Sequence, residues 1–369
     1  MTHKEYRELS LSLALIQTTF SVGNVASNIA RIAVFYRLAA VAKAELVIFS
    51  EMTISGYPPE DLLFSAQFQD RCMRAVEECA AMTSDGPAML IGSLWRDGDM
   101  LFNAVFLLDQ GRIVARQYKR ELPNYGIFDE KRYFTAGSDA EPMLWRGHKL
   151  GLLICEDMWF PDLAKNLQQQ GAELLISINA SPFETGKPQL REYHAAQRAI
   201  ETGLALVYVN QIGGHDEFIF DGNSFVLSVQ GEVCARMQGF REDFKLMQLE
   251  SRGGKLLPMP SPSPVLQAET EMIYCAMAIG LRDFVKKNGF AGVVLGMSGG
   301  IDSALAAALA VEAVGRENVR TLMLPSPYTS QESLDDAAEC ARRLGVRFDT
   351  IPITSGMDAF AGMLQNVFG

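Results

Sequence analysis

Short apolar runs recur from the start of the chain to about residue 250, separated by stretches whose apolar positions repeat at helical spacing. Leu11–Gln17, Leu46–Phe49, Met89–Leu94, Val105–Leu108, Leu150–Ile154, Leu174–Ile178, Leu204–Val209 and Phe225–Val229 have the length and composition of strands. Asn28–Ala42, Ala66–Ala81, Pro161–Gln170 and Gln189–Thr202 read as helices. Several strand runs are apolar at every position, which predicts burial on both faces in a layered α/β domain. Phe102–Gln117 reads instead as a hairpin turning at Asp109-Gln110-Gly111. This mixture predicts two sheets packed together with helices outside.

The pattern breaks at Ser251–Thr270, which holds Gly253, Gly254 and prolines 258, 260, 262 and 264. Alternating prolines favour an extended, semi-rigid linker. This places one domain over 1–250, a linker over 251–268 and a second domain over 269–369. The second opens with a helix, in which Ile273, Met277, Leu281 and Phe284 share a face suited to core packing. Three βα-like units follow, with strands at Ala291–Met297, Val319–Leu324 and Arg347–Ile353, the opening of a doubly wound parallel sheet.

Composition narrows the partners. The 369 residues are 48% hydrophobic and 21% charged, an ordinary globular balance, and the net charge of −11 argues against a nucleic-acid surface. The six cysteines fit no zinc or disulfide spacing, which suggests a reducing, cytoplasmic setting. His3, His148, His194 and His215 show no metal-ligand spacing either. Glu5 and Glu8 precede the short apolar run near the start, so no signal peptide is expected, and no apolar stretch reaches the ~20 residues that span a bilayer.

Two constellations carry chemistry. Ser298-Gly299-Gly300-Ile301-Asp302-Ser303 sits between a strand run and an Ala/Leu-rich helix. Glycines there let backbone N–H groups approach an anion, and the helix start adds unpaired donors. The spacing is neither the Walker A loop nor G-x-G-x-x-G. Asp302 is read either as a magnesium ligand or as a helix cap. The other constellation is Glu51, Lys119 and Cys155, which follow the strand runs Leu46–Phe49, Arg112–Tyr118 and Leu150–Ile154. Taken singly, the cysteine reads as a small buried hydrophobe and the charges as solvated strand ends. Together they form an acyl-transfer set. The carboxylate takes the thiol proton, the ammonium favours thiolate and then the oxyanion, and a sharp strand-to-helix turn holds the thiol exposed.

The motifs around these residues resemble known ones. Phe49-Ser50-Glu51-Met52-Thr53-Ile54-Ser55-Gly56-Tyr57-Pro58, Tyr118-Lys119-Arg120-Glu121-Leu122-Pro123-Asn124-Tyr125 and Ile154-Cys155-Glu156-Asp157-Met158-Trp159 are similar to the glutamate, lysine and cysteine motifs of the nitrilase (carbon–nitrogen hydrolase) superfamily, in its order. That resemblance implies an αββα sandwich, with Glu51 as general base, Lys119 as oxyanion stabiliser and Cys155 as nucleophile. Ser298–Ser303 resembles the pyrophosphate loop of N-type ATP pyrophosphatases, which implies an adenine nucleotide α-hydrolase-like parallel sheet. A nitrilase-type domain before this loop resembles the glutamine-dependent NAD⁺ synthetases.

The resemblance implies a ligase. Glutamine hydrolysis would supply ammonia for ATP-dependent amidation of deamido-NAD⁺ to NAD⁺. By position, Tyr125, Ser181 and Lys187 would bind glutamine. The family often has arginine at the place of Lys187, and an ammonium lacks the two-pronged grip of a guanidinium on a carboxylate. Gly296, Met297, Ser298, Gly299, Gly300, Ile301, Asp302 and Ser303 would hold ATP, with Mg²⁺ at Asp302 and no metal in the glutaminase domain. A homo-oligomer with an internal ammonia passage is also implied. The chain stops about three βα units into the second domain, so the synthetase half is expected to be incomplete. The alternatives are a stand-alone nitrilase-type amidase with a vestigial C-terminal domain and a non-catalytic nucleotide-binding protein.

Overall fold

The computed structural model describes residues 10–138 and 140–368. His3, Glu5 and Glu8, which entered the reading above, lie outside the described residues. The chain divides into two compact units. As far as they are described, one takes in Met1–Gly213 with Phe218–Met272, and the other Gly214–Glu217 with Ile273–Gly369.

In chain order, the elements of the first part are β1 (Ser10–Gln17), α1 (Val25–Val41), β2 (Leu46–Ile48), α2 (Ala66–Met82), β3 (Ala88–Asp97), β4 (Met100–Asp109), β5 (Arg112–Tyr118), β6 (Met143–Trp145), β7 (His148–Ile154), α3 (Pro161–Gln169), β8 (Leu174–Asn179), α4 (Lys187–Thr202) and β9 (Leu206–Asn210). Short strands β10 (Ile212–His215), β11 (Phe218–Asp221), β12 (Phe225–Leu227) and β13 (Val233–Arg236) lead to β14 (Asp243–Arg252) and β15 (Lys255–Pro258). Seven strands pair in the order β15-β14-β1-β2-β3-β4-β5, and six in the order β13-β12-β9-β8-β7-β6.

Alternation along the strands explains the layers. Leu13, Leu15, Leu46, Ile48, Leu90 and Leu107 of the larger sheet share one core cluster with Leu152, Ile154, Ile176, Ile178, Val207 and Val209 of the smaller. The intervening Ala14, Ile16, Val47 and Ile91 pack with Ile32, Tyr36, Cys72 and Val76 of α1 and α2. On the other side, Leu153, Leu175, Leu206 and Tyr208 pack with Leu163, Leu167, Ala195 and Ala199 of α3 and α4. The residues of the central strands thus alternate between the other sheet and a helix layer, and the result is the αββα sandwich. The hairpin at Asp109 turns as expected, because Gln110 and Gly111 both take positive φ (+52° and +76°).

The stretch expected to open the linker differs. Residues 251 and 252 finish β14, Gly253 and Gly254 turn with φ of +60° and +72°, and β15 pairs back from Lys255 to Pro258. Two glycines supply the left-handed turn that a tight hairpin needs. Pro258 is tolerated because β15 is an edge strand. The prolines at 260, 262 and 264 follow that strand.

The second unit contains α5 (Glu269–Lys287, from Ile273 on), β16 (Val293–Gly296), α6 (Ile301–Val314), β17 (Val319–Met323), α7 (Gln331–Leu344), β18 (Arg347–Thr350) and α8 (Thr354–Phe368). Its three strands are parallel in the order β16-β17-β18. Met297, Ala307, Met323 and Ala337 form its small core. The helical face expected to pack is not the buried one: Ile273, Met277 and Phe284 are exposed, while Ala276, Ile279 and Val285 are buried. Among the described residues, no helix is long and apolar enough to cross a membrane.

Candidate active site

Glu51 follows β2, where the chain leaves the sheet through a turn with Met52 at φ +49°. Gly92 of β3 lies against that turn. A Cβ on Gly92 would stand 2.5 Å from Met52 N and 2.8 Å from Glu51 Cα, so glycine is what admits the turn. Glu51 is fully buried. Its Oε1 accepts from Asn103 Nδ2 at 2.7 Å and Lys119 Nζ at 2.8 Å, and its Oε2 accepts from the Ala180 N–H at 2.8 Å.

Lys119 directly follows β5. Its N–H donates to the Asn103 carbonyl and its carbonyl accepts from the Gly137 N–H, both at 2.8 Å. The buried ammonium lies between two carboxylates, donating to Glu51 Oε1 at 2.8 Å and Glu130 Oε1 at 2.9 Å. Burial alone would lower the lysine pKa, but the charges of Glu130 and Glu51 outweigh it and hold the group well above its ordinary range. Tyr57 also donates to Glu130 Oε1, at 2.9 Å, whereas Glu130 Oε2 has no hydrogen-bond partner among the described residues. Burial pushes Glu130 up to about 7 against the pull of Lys119.

Cys155 comes directly after β7 with φ +49°, which costs a non-glycine residue ~1–2 kcal/mol. It opens the short 3₁₀ turn Cys155–Trp159. The strand-to-helix turn is as expected, but the exposure is not: the residue is 6% exposed. Burial, then the charge of Glu51, raise the thiol pKa well above its ordinary range, and Lys119 opposes them without prevailing. The resting group is therefore the thiol, not the thiolate that the neighbouring ammonium was expected to favour. Glu51, Lys119 and Cys155 thus meet in one buried cluster at the carboxyl ends of strands from both sheets.

The residues expected to bind glutamine border this cluster. Tyr125 is half exposed and donates from its hydroxyl to Glu156 at 3.0 Å. Burial raises the pKa of Glu156, and the Tyr125 hydrogen bond works against it. Lys187 opens α4, with Nζ 5.3 Å from the centre of the Trp159 ring and 3.6 Å from Glu184. Ser181 is buried just past β8; its N–H donates to Asn210 Oδ1 at 2.9 Å and its hydroxyl accepts from Arg191 Nε at 3.0 Å. Arg191 also donates from Nη1 to both oxygens of Asp221 and from Nη2 to the Ser181 and Pro182 carbonyls. Sequence reasoning assigned no role to Asn103, Glu130, Glu156 or Arg191. Glu156 could have been flagged by its place beside Cys155, but Glu130 carries no local signal.

In the second unit, the loop after β16 has Gly299 at φ +85°, where a Cβ would meet Ser333 O at 2.4 Å. The Ser298 and Ser303 hydroxyls lie 3.1 Å apart, and the Gly300 N–H donates to Ser298 Oγ at 3.2 Å. Gly296, Met297 and Ser298 line a cavity of about 590 Å³ with Met323, Thr329 and Ser333, among others. Gly299–Ser303 lie outside that lining, with Ile301 and Asp302 exposed.

Residues 12–251 match the carbon–nitrogen hydrolase family model. The chain belongs to the carbon–nitrogen hydrolase family. The chain also matches the NAD synthase family model over residues 273–367. It is 41% identical to the glutamine-dependent NAD(+) synthetase of Rhodobacter capsulatus over 355 residues, covering 96% of this chain and 64% of that protein. The corresponding Acinetobacter baylyi protein is 37% identical, with coverage of 98% and 66%. The chain thus spans about two thirds of the length of these curated relatives. A solved glutamine-dependent NAD⁺ synthetase from Acinetobacter baumannii, in complex with adenosine diphosphate, superposes with a TM-score of 0.93 at 38% identity, covering 98% of this chain and 68% of that one. An amidase from Nesterenkonia sp. AN1 shares the fold, with a TM-score of 0.58 at 24% identity, over 65% of this chain and 90% of that one.

Proposed function

We propose that the whole protein is a glutamine-hydrolysing NAD⁺ synthase and that the first unit is its glutaminase. The observation that carries this reading is the buried ammonium of Lys119, shared by Glu51 and Glu130 beside Cys155, in a chain that also matches NAD synthase. Glu51 takes the thiol proton as sulfur attacks the glutamine side-chain amide carbon. Lys119 stabilises the oxyanion that forms. The proton passes to the leaving nitrogen, the C–N bond breaks and ammonia departs, which leaves a thioester on Cys155. Water, deprotonated by Glu51, adds to the thioester; the C–S bond breaks, the thiol is restored and glutamate leaves. Glu130 holds Lys119 in place.

The zwitterionic end of glutamine suits the border residues. Glu156, steadied by Tyr125, offers a carboxylate to the α-ammonium, while Lys187 and Ser181 offer donors to the α-carboxylate. In the second unit, Gly296–Ser303 would hold the phosphates of ATP beside the 590 Å³ cavity. Asp302 would offer one exposed carboxylate to a Mg²⁺, with phosphate oxygens supplying its further ligands. Bound there, Mg²⁺ would neutralise phosphate charge while deamido-NAD⁺ is adenylated. A cytoplasmic homo-oligomer is the setting proposed for these steps.

The match over residues 273–367 favours this reading over a stand-alone amidase. The test is ammonia release by the purified chain from glutamine, asparagine and simple aliphatic amides. Glutamine preference that vanishes in Cys155→Ala supports the reading. A broad amide preference, or undiminished hydrolysis by Cys155→Ala, refutes it.

A further inference from the structure

Asp157 is fully buried two residues beyond Cys155 and has no part in the steps above. Its Oδ1 accepts from the backbone N–H groups of Arg120 at 3.1 Å and Glu121 at 2.8 Å, and its Oδ2 accepts from that of Ile154 at 3.0 Å. Arg120 and Glu121 immediately follow Lys119, and Ile154 immediately precedes Cys155. The two segments belong to different sheets: Lys119 leaves β5 of the seven-stranded sheet, and Cys155 leaves β7 of the six-stranded one. Among the described residues no strand ladder joins these sheets, so no ladder register there sets the spacing of ammonium and thiol. A side-chain bond from Gln117 Nε2 to the Leu152 carbonyl, at 2.8 Å, crosses the gap further back in the strands. Asp157 crosses it at the reacting ends.

We propose that Asp157 is a positioning residue that sets the placement of Lys119 relative to Cys155 by clamping both of their backbones with one carboxylate. The proposal rests on the assignment of those two residues above. A carboxylate is the group the position requires, because both oxygens accept and three N–H groups point at them. Asparagine would present an amide NH₂ to at least one of those donors. Burial raises Asp157 to about 6 against the three N–H bonds, so at neutral pH it remains the ionised acceptor that the geometry needs. The bond to Ile154 also ties down the residue before the left-handed Cys155, in the manner of a capping-box carboxylate.

The test is Asp157→Asn in the full chain, with three readouts: kcat and KM for glutamine hydrolysis, the alkylation rate of Cys155 by iodoacetamide, and the thermal midpoint. We expect kcat to fall ~10–100-fold, the scale of an ångström-sized misplacement, with KM within about twofold. Alkylation should slow several-fold, since the displaced ammonium no longer assists thiol ionisation. Wild-type kcat and alkylation rate in the variant would overturn the proposal, as would a loss of activity no greater than the loss of folded protein. Alkylation needs no glutamine. If the wild type is alkylated at Cys155 yet hydrolyses no glutamine, the function reading fails while the Asp157 comparison still decides the clamp. Should the variant not fold, hydrogen exchange of the wild type decides instead. Joint protection of the amides of 120, 121 and 154 supports the clamp, and exchange of 120 and 121 at unbonded-loop rates overturns it.

Discussion

Replacing Glu130 with glutamine isolates what its charge does. The side chain keeps its size and an oxygen that can accept from Tyr57 and Lys119, each now 2.9 Å from Oε1. What is lost is ionisation. A hydrogen bond to a charged partner contributes ~1.5–3 kcal/mol and a neutral one ~0.5–1.5 kcal/mol, so the hold on Lys119 weakens by ~1–1.5 kcal/mol. If that hold is expressed in the transition state, kcat falls about tenfold. The loss depends on pH in a defined direction. Glu130 titrates at about 7 because it is buried, so below that pH the wild type also carries a neutral group there. Wild type and Glu130→Gln should therefore hydrolyse glutamine at similar rates near pH 6 and diverge to about tenfold by pH 8. Stability runs the other way. The folded-state pKa lies above the ordinary carboxylate value, so the folded wild type binds the extra proton and loses stability as pH rises from about 4.5 to 7. The variant should lack that slope. The assay is glutamate formation across pH 5–9, with urea denaturation at the same pH values. A rate ratio that does not change with pH refutes the reasoning. A loss as complete as that of Cys155→Ala also refutes it, because Glu130 would then be doing more than holding Lys119.

Three other substitutions probe the frame around the cluster and the loop of the second unit. Gly92→Ala would place a methyl 2.5 Å from Met52 N. It should cost ~1–3 kcal/mol by urea denaturation and lower kcat, because the turn carrying Glu51 must move; unchanged stability and kcat would count against that contact. Arg191→Met leaves Asp221 buried without its cation and should destabilise the fold by ~3–5 kcal/mol, read from the same denaturation curves. A change below 1 kcal/mol would show that the pair is not buried as described. Gly299→Ala combines a φ of +85° with a Cβ 2.4 Å from Ser333 O, and should weaken ATP binding at least tenfold in a calorimetric titration; an unchanged affinity would remove the loop from the proposed ATP site.

Local patterning reaches a long way into this fold. Apolar runs locate β1, β7, β8 and β9 because strands buried on both faces are mostly apolar, with only a few polar positions such as Ser12 and Ser177. The helices α2, α3 and α4 follow from apolar spacing, and the turn at Cys155 follows from a strand run meeting Glu156-Asp157. β14 and β15 are less visible. β14 is partly buried over most of its length and alternates only around Met247–Leu249, and its partner β1 lies more than 200 residues away, pairing Ser10 with Glu250. Only the closed sheet makes that pairing evident.

The candidate site divides along the same physical line. Glu51, Lys119 and Cys155 were accessible as candidates because each follows a strand and sits in a similar motif. Their electrostatic state was not accessible. Lysine, glutamate and arginine read as solvated surface in a sequence, yet Lys119, Glu51, Glu130 and Arg191 are buried here. What tolerates their burial is a set of partners drawn from distant segments: Asn103 and the Ala180 N–H for Glu51, Glu130 and Glu51 for Lys119, Asp221 for Arg191. None of these pairings has a spacing rule. The sequence by itself determined most of the elements, the candidate side chains and the glycine-rich loop, because backbone periodicity and turn chemistry are local. Tertiary structure decided that the thiol rests protonated, that Glu130 shares the ammonium and that Asp157 bridges two sheets, because desolvation and charge pairing depend on which distant groups converge.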